Sequence, residues 1–156
     1  MILRVDDRFV HGQVIAGWVR PLGINHLVLI SDEIATDEWA RNTYTLAVPD
    51  DIKFSICQVA DFNDCLTEKV NRTMIVVGSV KDAFALVERG LKVDQITLGC
   101  LNYDEGKKEI CSYIYLSSED IGYVKALIKK GLKIVARALP TSPVLDVAKI
   151  IKGVTH

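Results

Sequence analysis

Short apolar runs alternate along this chain with segments patterned as helices, and that alternation restricts the fold more than any other feature. The runs are Met1 to Val5, His26 to Ile30, Lys53 to Val59, Thr73 to Val77, Gln95 to Leu98, Glu109 to Leu116 and Leu132 to Leu139. Several are continuously apolar, as suits strands covered on both faces. The segments between them carry helix signals. Thr36 stands as a cap before Asp37 and Glu38, and Ser79 before a VKDAFALVER stretch closed by Gly90. Ser117 and Asp120 form a capping-box pattern for a helix that should end near Gly131. Thr141 and Ser142 read as caps of a last helix, with Pro143 at its first position and Gly153 closing it. The pattern predicts an α/β fold, an open and mostly parallel sheet with helices on both faces. Between Gly99 and Lys108 the chain is too short and too polar for the crossover of about a dozen residues that parallel neighbours need. The sixth strand, toward the C-terminal part, is therefore expected to be antiparallel.

The chain has 156 residues, so a single domain over 1–156 is expected, long enough to bury a core without disulfide staples. Nineteen basic and twenty acidic residues give a net charge of −1, which disfavours a general nucleic-acid binder. Cys57, Cys65, Cys100 and Cys111 lack C-x-x-C spacing and sit in or beside apolar stretches. They read as reduced thiols of a cytoplasmic protein, with no metal site. No run is long enough to span a membrane, and Arg4, Asp6, Asp7 and Arg8 leave no room for a signal-peptide core.

Ligand sites of open α/β sheets lie beyond the carboxyl ends of the strands. The first such loop holds Asp6, Asp7, Arg8, Phe9, Val10, His11, Gly12 and Gln13, ahead of a helix expected over Val14 to Arg20 and stopped by Pro21. Gly12 permits a tight backbone there, and the helix start offers free N–H groups to an anion. A neutral imidazole is a good nucleophile toward phosphorus near pH 7. Arg8 could hold phosphoryl oxygens in a fork, and Asp6 or Asp7 could orient the His11 ring or hold Arg8. On residues alone, a structural loop of ion pairs is an equally good reading. Arg137 ends the last strand and could point to the same rim, or form a surface ion pair. Caps such as Ser142 can also touch a phosphate. His26 reads as a packing or surface residue, His156 as frayed, Cys57 as buried, and Trp18 and Trp39 as core or interface residues. No Walker loop and no GxGxxG is present. The acidic pair after strand one is shared with receiver domains, with Asp61 just past strand three. No lysine follows strand five until Lys107, which argues against that reading.

The string RVDDRFVHGQV, residues 4 to 14, resembles the opening signature of enzyme IIB of the mannose/fructose/sorbose family of the sugar phosphotransferase system. The likeness continues through LVLISDEIATDE (27 to 38), ITLG (96 to 99) and SSEDIGYVKALIKKGLKIVARALPTSP (117 to 143), and the length fits the family's stand-alone subunit. The resemblance implies a cytoplasmic protein, at the membrane through IIC and IID, with a sheet of about seven strands. It implies a transferase needing no cofactor. His11 would accept a phosphoryl group on Nδ1 from the phosphohistidine of a IIA subunit. It would pass that group to a sugar held by the membrane subunits IIC and IID. By the same match Asp6 and Arg8 position the histidine. Arg4, Gly12, Gln13, Arg137 and Ser142 are candidates for phosphate binding or docking.

Departures from the family pattern stand at Ala16-Gly17, where an arginine often precedes the tryptophan, at Cys100-Leu101 in place of Gly-Met, and at Thr141-Ser142. They motivate a rival reading, a regulatory or binding module with weakened transfer; the intact DDRFVHGQV loop argues against it. An unrelated nucleotide-binding domain fares worst. Partner docking is expected to be transient, steered by a patch of Arg4, Arg8 and Arg20. A homodimer is compatible with the sequence but not required by it.

Overall fold

The computed structural model describes residues 1–66 and 72–154. Seven strands form the main sheet in the order β3-β2-β4-β1-β5-β8-β9. They are β1 (Ile2–Asp6), β2 (His26–Ile30), β3 (Lys53–Cys57), β4 (Thr73–Val77), β5 (Gln95–Cys100), β8 (Lys133–Ala136) and β9 (Leu145–Asp146). All neighbours run parallel except β9, which pairs antiparallel with β8. The fold is the open, mostly parallel α/β sheet that the alternation implies, with its antiparallel pair at the C-terminal end. The antiparallel member of this sheet is β9, however. The segment expected as one strand over Glu109 to Leu116 folds as a hairpin, β6 (Lys108–Cys111) with β7 (Ile114–Leu116), in a sheet of its own. A parallel bridge from Leu101 to Ile114 ties it to the end of β5.

β1 lies in the middle of the sheet, and its alternate side chains serve opposite faces. Leu3 and Val5 enter the core with Ile75, Val77, Ile96 and Leu98, under α5 (Val80–Glu88), α6 (Ser118–Lys129) and α7 (Val147–Val154). Ile2 packs on the other face with Leu27, Leu29, Met74 and Val76. That face is closed by Val14, Trp18 and Val19. These come from α1 (Gly12–Val14) and the wider π-helical stretch Ile15–Val19 that continues it, seen in the bond from Arg20 N–H to the Ile15 carbonyl (3.0 Å). The helix thus starts two residues earlier than the sequence pattern suggested.

Ser79 caps α5 and Gly90 follows at φ 100°, while Ser117 and Asp120 form the reciprocal capping box of α6 and Gly131 stands at φ 94°. Three expected caps fail. Thr36 bonds back to the carbonyls of Asp32 and Glu33 at the end of α2 (Asp32–Ala35), leaving Asp37 to cap α3 (Glu38–Ala47). Thr141 and Ser142 lie in a loop where Ser142 N–H bonds to the Leu139 carbonyl, because β9 must form before the chain turns into α7. Strand β3 stops at Cys57, and Val59–Asp61 is a 3-10 turn leading into α4 (Phe62–Cys65). The last strand likewise ends at Ala136 rather than Leu139.

Candidate functional site

Arg4 and Asp6 are two residues apart on a central strand, so both point to the face under Trp18. Both are almost wholly buried. The Arg4 guanidinium sits 4.7 Å from the Trp18 ring centre, donates from Nη2 to Asp6 Oδ2 (3.3 Å) and from Nη1 to the Arg137 carbonyl (3.4 Å). Its Nε has no hydrogen-bond partner among the described residues, and burial draws the arginine's pKa down against the opposing pull of the Asp6 charge. Gly99 makes room for it. The β1–β5 register slips so that Val5 faces Leu98 and Asp6 faces Cys100, and a Cβ at Gly99 would run into the Arg4 guanidinium.

After β1 the chain turns sharply. Phe9 N–H bonds to the Asp6 carbonyl (2.9 Å), and Phe9 takes φ 58°, a left-handed conformation costly for a residue with a Cβ. Its ring is held against Gly78, where a Cβ would collide with it, and meets the Tyr44 ring edge-on at 6.0 Å. This turn returns His11 to Asp6, five residues back, with His11 Nε2 3.1 Å from Asp6 Oδ2. Asp6 Oδ1 meanwhile accepts from Arg8 N–H (3.0 Å) and Arg8 Nε (3.4 Å), and Arg8 Nη2 donates to Gln13 Oε1 (3.3 Å). One buried carboxylate therefore organises two arginines and the imidazole. The His11 side chain is 21% exposed and that of Arg8 43% exposed, so both face solvent while Asp6 does not. Nδ1 of His11 has no hydrogen-bond partner among the described residues. With the proton on Nε2, donated to Asp6, Nδ1 carries a free lone pair.

Of the two acids after β1, the geometry selects Asp6 as the one on the ring. Asp7 instead accepts from the backbone N–H (2.6 Å) and side-chain amide (3.0 Å) of Asn102, binding this loop to the one after β5. Asn102, Phe9, Gly78 and Gly99 were not picked out as site residues from the sequence; glycines just beyond β4 and inside β5 were the available signal. Donor atoms of Asp6, Asp7 and Cys100 lie within 4.8 Å of one another. Each carboxylate oxygen there already accepts a hydrogen bond, so a cation would have to displace Arg4, Arg8, His11 or Asn102. Burial pushes the Cys100 thiol up, which keeps it a neutral neighbour of the site.

The remaining predicted residues divide. Gln13 is drawn into the site by Arg8. Gly12 needs no special backbone, since its φ is not positive and a Cβ there would meet open space. Arg137 reaches the cluster only through its backbone carbonyl. Its guanidinium donates to the carbonyls of Pro140 and Ser142, bracing its own loop, and Ser142 takes part through that carbonyl. Arg137 also lines, with Trp18, Thr97 and Pro140, a groove of about 460 Å³ that does not include His11. The expected patch of Arg4, Arg8 and Arg20 does not form: Arg4 is buried, and Arg20 pairs with Asp51 at 2.5 Å. Trp18 is core, whereas Trp39 is 82% exposed. His26 is buried with its Nε2 2.9 Å from Ser55 Oγ. Cys57 is buried, its thiol pushed up by burial and by Cys65. His156 lies outside the described residues.

The family model for the sorbose-subfamily IIB component of the PTS system matches residues 1–156. This chain belongs to that family. It is similar to the fructose-specific EIIB component of Bacillus subtilis, 26% identical over 99% of this chain and 97% of the relative. It is similar also to the sorbose-specific EIIB component of Lacticaseibacillus casei, 25% identical over 96% of this chain and 93% of the relative. Among solved structures, the IIBSor domain of the sorbose permease from Klebsiella pneumoniae shares the fold. Its TM-score is 0.88 and its identity 22%, over 98% of both chains. This IIB chain is thus a component of a sugar phosphotransferase system, and among its described residues no helix is long and apolar enough to cross a membrane.

Proposed function

We propose that this IIB component carries a phosphoryl group on Nδ1 of His11, taking it from a phosphohistidine of a IIA partner and delivering it to a sugar bound by the IIC and IID membrane subunits. The observation that carries the reading is the contact of His11 Nε2 with the buried Asp6, which leaves Nδ1 without a hydrogen-bond partner among the described residues while Arg8 engages the other oxygen of the same carboxylate. In the accepting step the Nδ1 lone pair forms the new N–P bond. The bond from phosphorus to the donor's ring nitrogen breaks, and its electron pair returns to the donor. Asp6 keeps the proton on Nε2 and stabilises the ring as it gains positive character. Arg8 neutralises charge on the transferring oxygens, and Gln13 fixes the guanidinium for that task. The helix start at Gly12 and Gln13 offers two more N–H groups to the anion. Arg4 acts from behind, as the buried counter-charge that holds the Asp6 carboxylate in place.

The test is incubation with phosphoenolpyruvate, enzyme I, the phosphocarrier HPr and a IIA subunit, followed by intact mass at neutral or alkaline pH. The parent gains one phosphoryl group and His11→Ala gains none. Equal phosphorylation of both, or none on the parent beside a phosphorylated IIA, contradicts the reading.

A further inference from the structure

Charge is unevenly divided along this near-neutral chain. Residues 107–156 hold nine basic and four acidic residues, a formal +5, against ten basic and sixteen acidic over residues 1–106, a formal −6. Much of the positive excess converges on one place. A groove of about 260 Å³ runs between α6 and α7, with Ile128, Ala148 and Ile151 along it and Lys125 and Lys152 at its rim. Lys129 follows Lys125 by one helical turn and Lys149 precedes Lys152 by three residues, so each extends the rim along its own helix. All four lysines are exposed, and none has an ion-pair partner among the described residues; the ion-paired lysine of this region is Lys130, with Glu88. The nearby acids are engaged at helix starts: Asp120 in the capping box, Glu119 with the Tyr123 hydroxyl, Asp146 with Lys149 N–H.

We propose that the α6–α7 face is a docking surface for an anionic phospholipid bilayer. An apolar floor ringed by unpaired cations matches acyl boundary below and headgroup phosphate around it. The rim is built of lysine alone. Lysine is depleted at protein–protein interfaces and arginine enriched there, which disfavours an acidic protein as the occupant. Long lysine stems can lie along an apolar surface while their ammonium groups reach phosphate. A nucleic acid would have no use for the isoleucine floor. Lys129 lies near the entry to β8 at Lys133, at the amino edge of the sheet, whereas His11 stands at the carboxyl edge. Engagement of this face therefore leaves the phosphoryl site open to its partners. The inference goes beyond the phosphoryl-carrier reading and does not depend on it.

The experiment is co-sedimentation of the intact chain with vesicles of phosphatidylcholine, or of phosphatidylcholine with about one part in three phosphatidylglycerol. The protein should sediment with the anionic vesicles, not with the neutral ones, and should be released at about 1 M salt, where screening shortens to about 3 Å. Each lysine changed to glutamine should weaken partition about fivefold, and Lys125, Lys129, Lys149 and Lys152 together by about a hundredfold or more. Ile128→Gln should weaken it further at constant charge. Thermal melts of each variant, expected to match the parent, separate lost binding from lost folding. Phosphorylation in solution without vesicles reads the His11 site separately. Equal binding to both vesicle types, no binding to the anionic ones, or a folded quadruple variant that binds like the parent would overturn the proposal; the second result would leave the patch to an acidic protein.

Discussion

Arg8 and Arg137 each follow a strand at the carboxyl edge of the same sheet, and the two loops use them differently. After β1, Arg8 meets the buried carboxylate of Asp6, two residues back, and so shares with His11 the two oxygens of one side chain. After β8 the chain runs through Pro140 and Pro143 with no carboxylate at hand, and Arg137 donates instead to the carbonyls of Pro140 and Ser142. Position at a strand end is thus not what recruits a cation to a site. The nearest strong acceptor decides, and only the first loop supplies a carboxylate that water cannot reach. Arg4 shows the same rule from inside the sheet, where burial leaves Asp6 as its counter-charge.

Four substitutions would break or sharpen this contrast. The largest effect is expected for Asp6→Asn, which leaves the Arg4 charge buried without its partner. We expect a loss of about 3–5 kcal/mol in urea unfolding, and phosphorylation lost with it. Arg8→Ala should leave unfolding nearly unchanged and slow phosphorylation by IIA about 10–1,000-fold in quenched time courses. A parent-like rate would remove Arg8 from the mechanism. Gly99→Ala pushes a methyl group into the Arg4 guanidinium and should cost about 1–3 kcal/mol in thermal or urea melts. A variant as stable as the parent would mean that the register slip, not the missing side chain, makes room for Arg4. Smallest is Arg137→Gln, with about 1 kcal/mol lost from the 137–142 loop and phosphorylation within about threefold of the parent. A loss of rate as large as that of Arg8→Ala would erase the distinction between the two loops.

Much of the fold could be read from the runs themselves. His26–Ile30 and Thr73–Val77 are strands over the expected residues, because buried parallel strands show as unbroken apolar stretches. The Ser79 and Ser117 caps were legible because a cap depends on residues three apart. What failed depends on distant chain. No local signal in Leu145-Asp146 announces that β8 will recruit it as an antiparallel edge, and that pairing is what displaces the Ser142-Pro143 start of the last helix. Trp39 carries a helical pattern, yet α3 turns Ala40 and Tyr44 inward and leaves Trp39 in solvent. At the site, the string from Arg4 to Gln13 named its own participants, since Arg4, Asp6, Arg8, His11 and Gln13 interact within ten residues. The choice of Asp6 over Asp7 needed the register slip opposite Gly99 and the pull of Asn102, neither of which is local to the motif.

The central claim is that Asp6 holds Nε2 and thereby leaves Nδ1 to react. Nitrogen–phosphorus NMR of the phosphorylated, nitrogen-15-labelled protein tests it most directly. The account requires phosphorus bonded to Nδ1 of His11 with Nε2 still protonated. Phosphorus on Nε2, or on a residue other than His11, would contradict it.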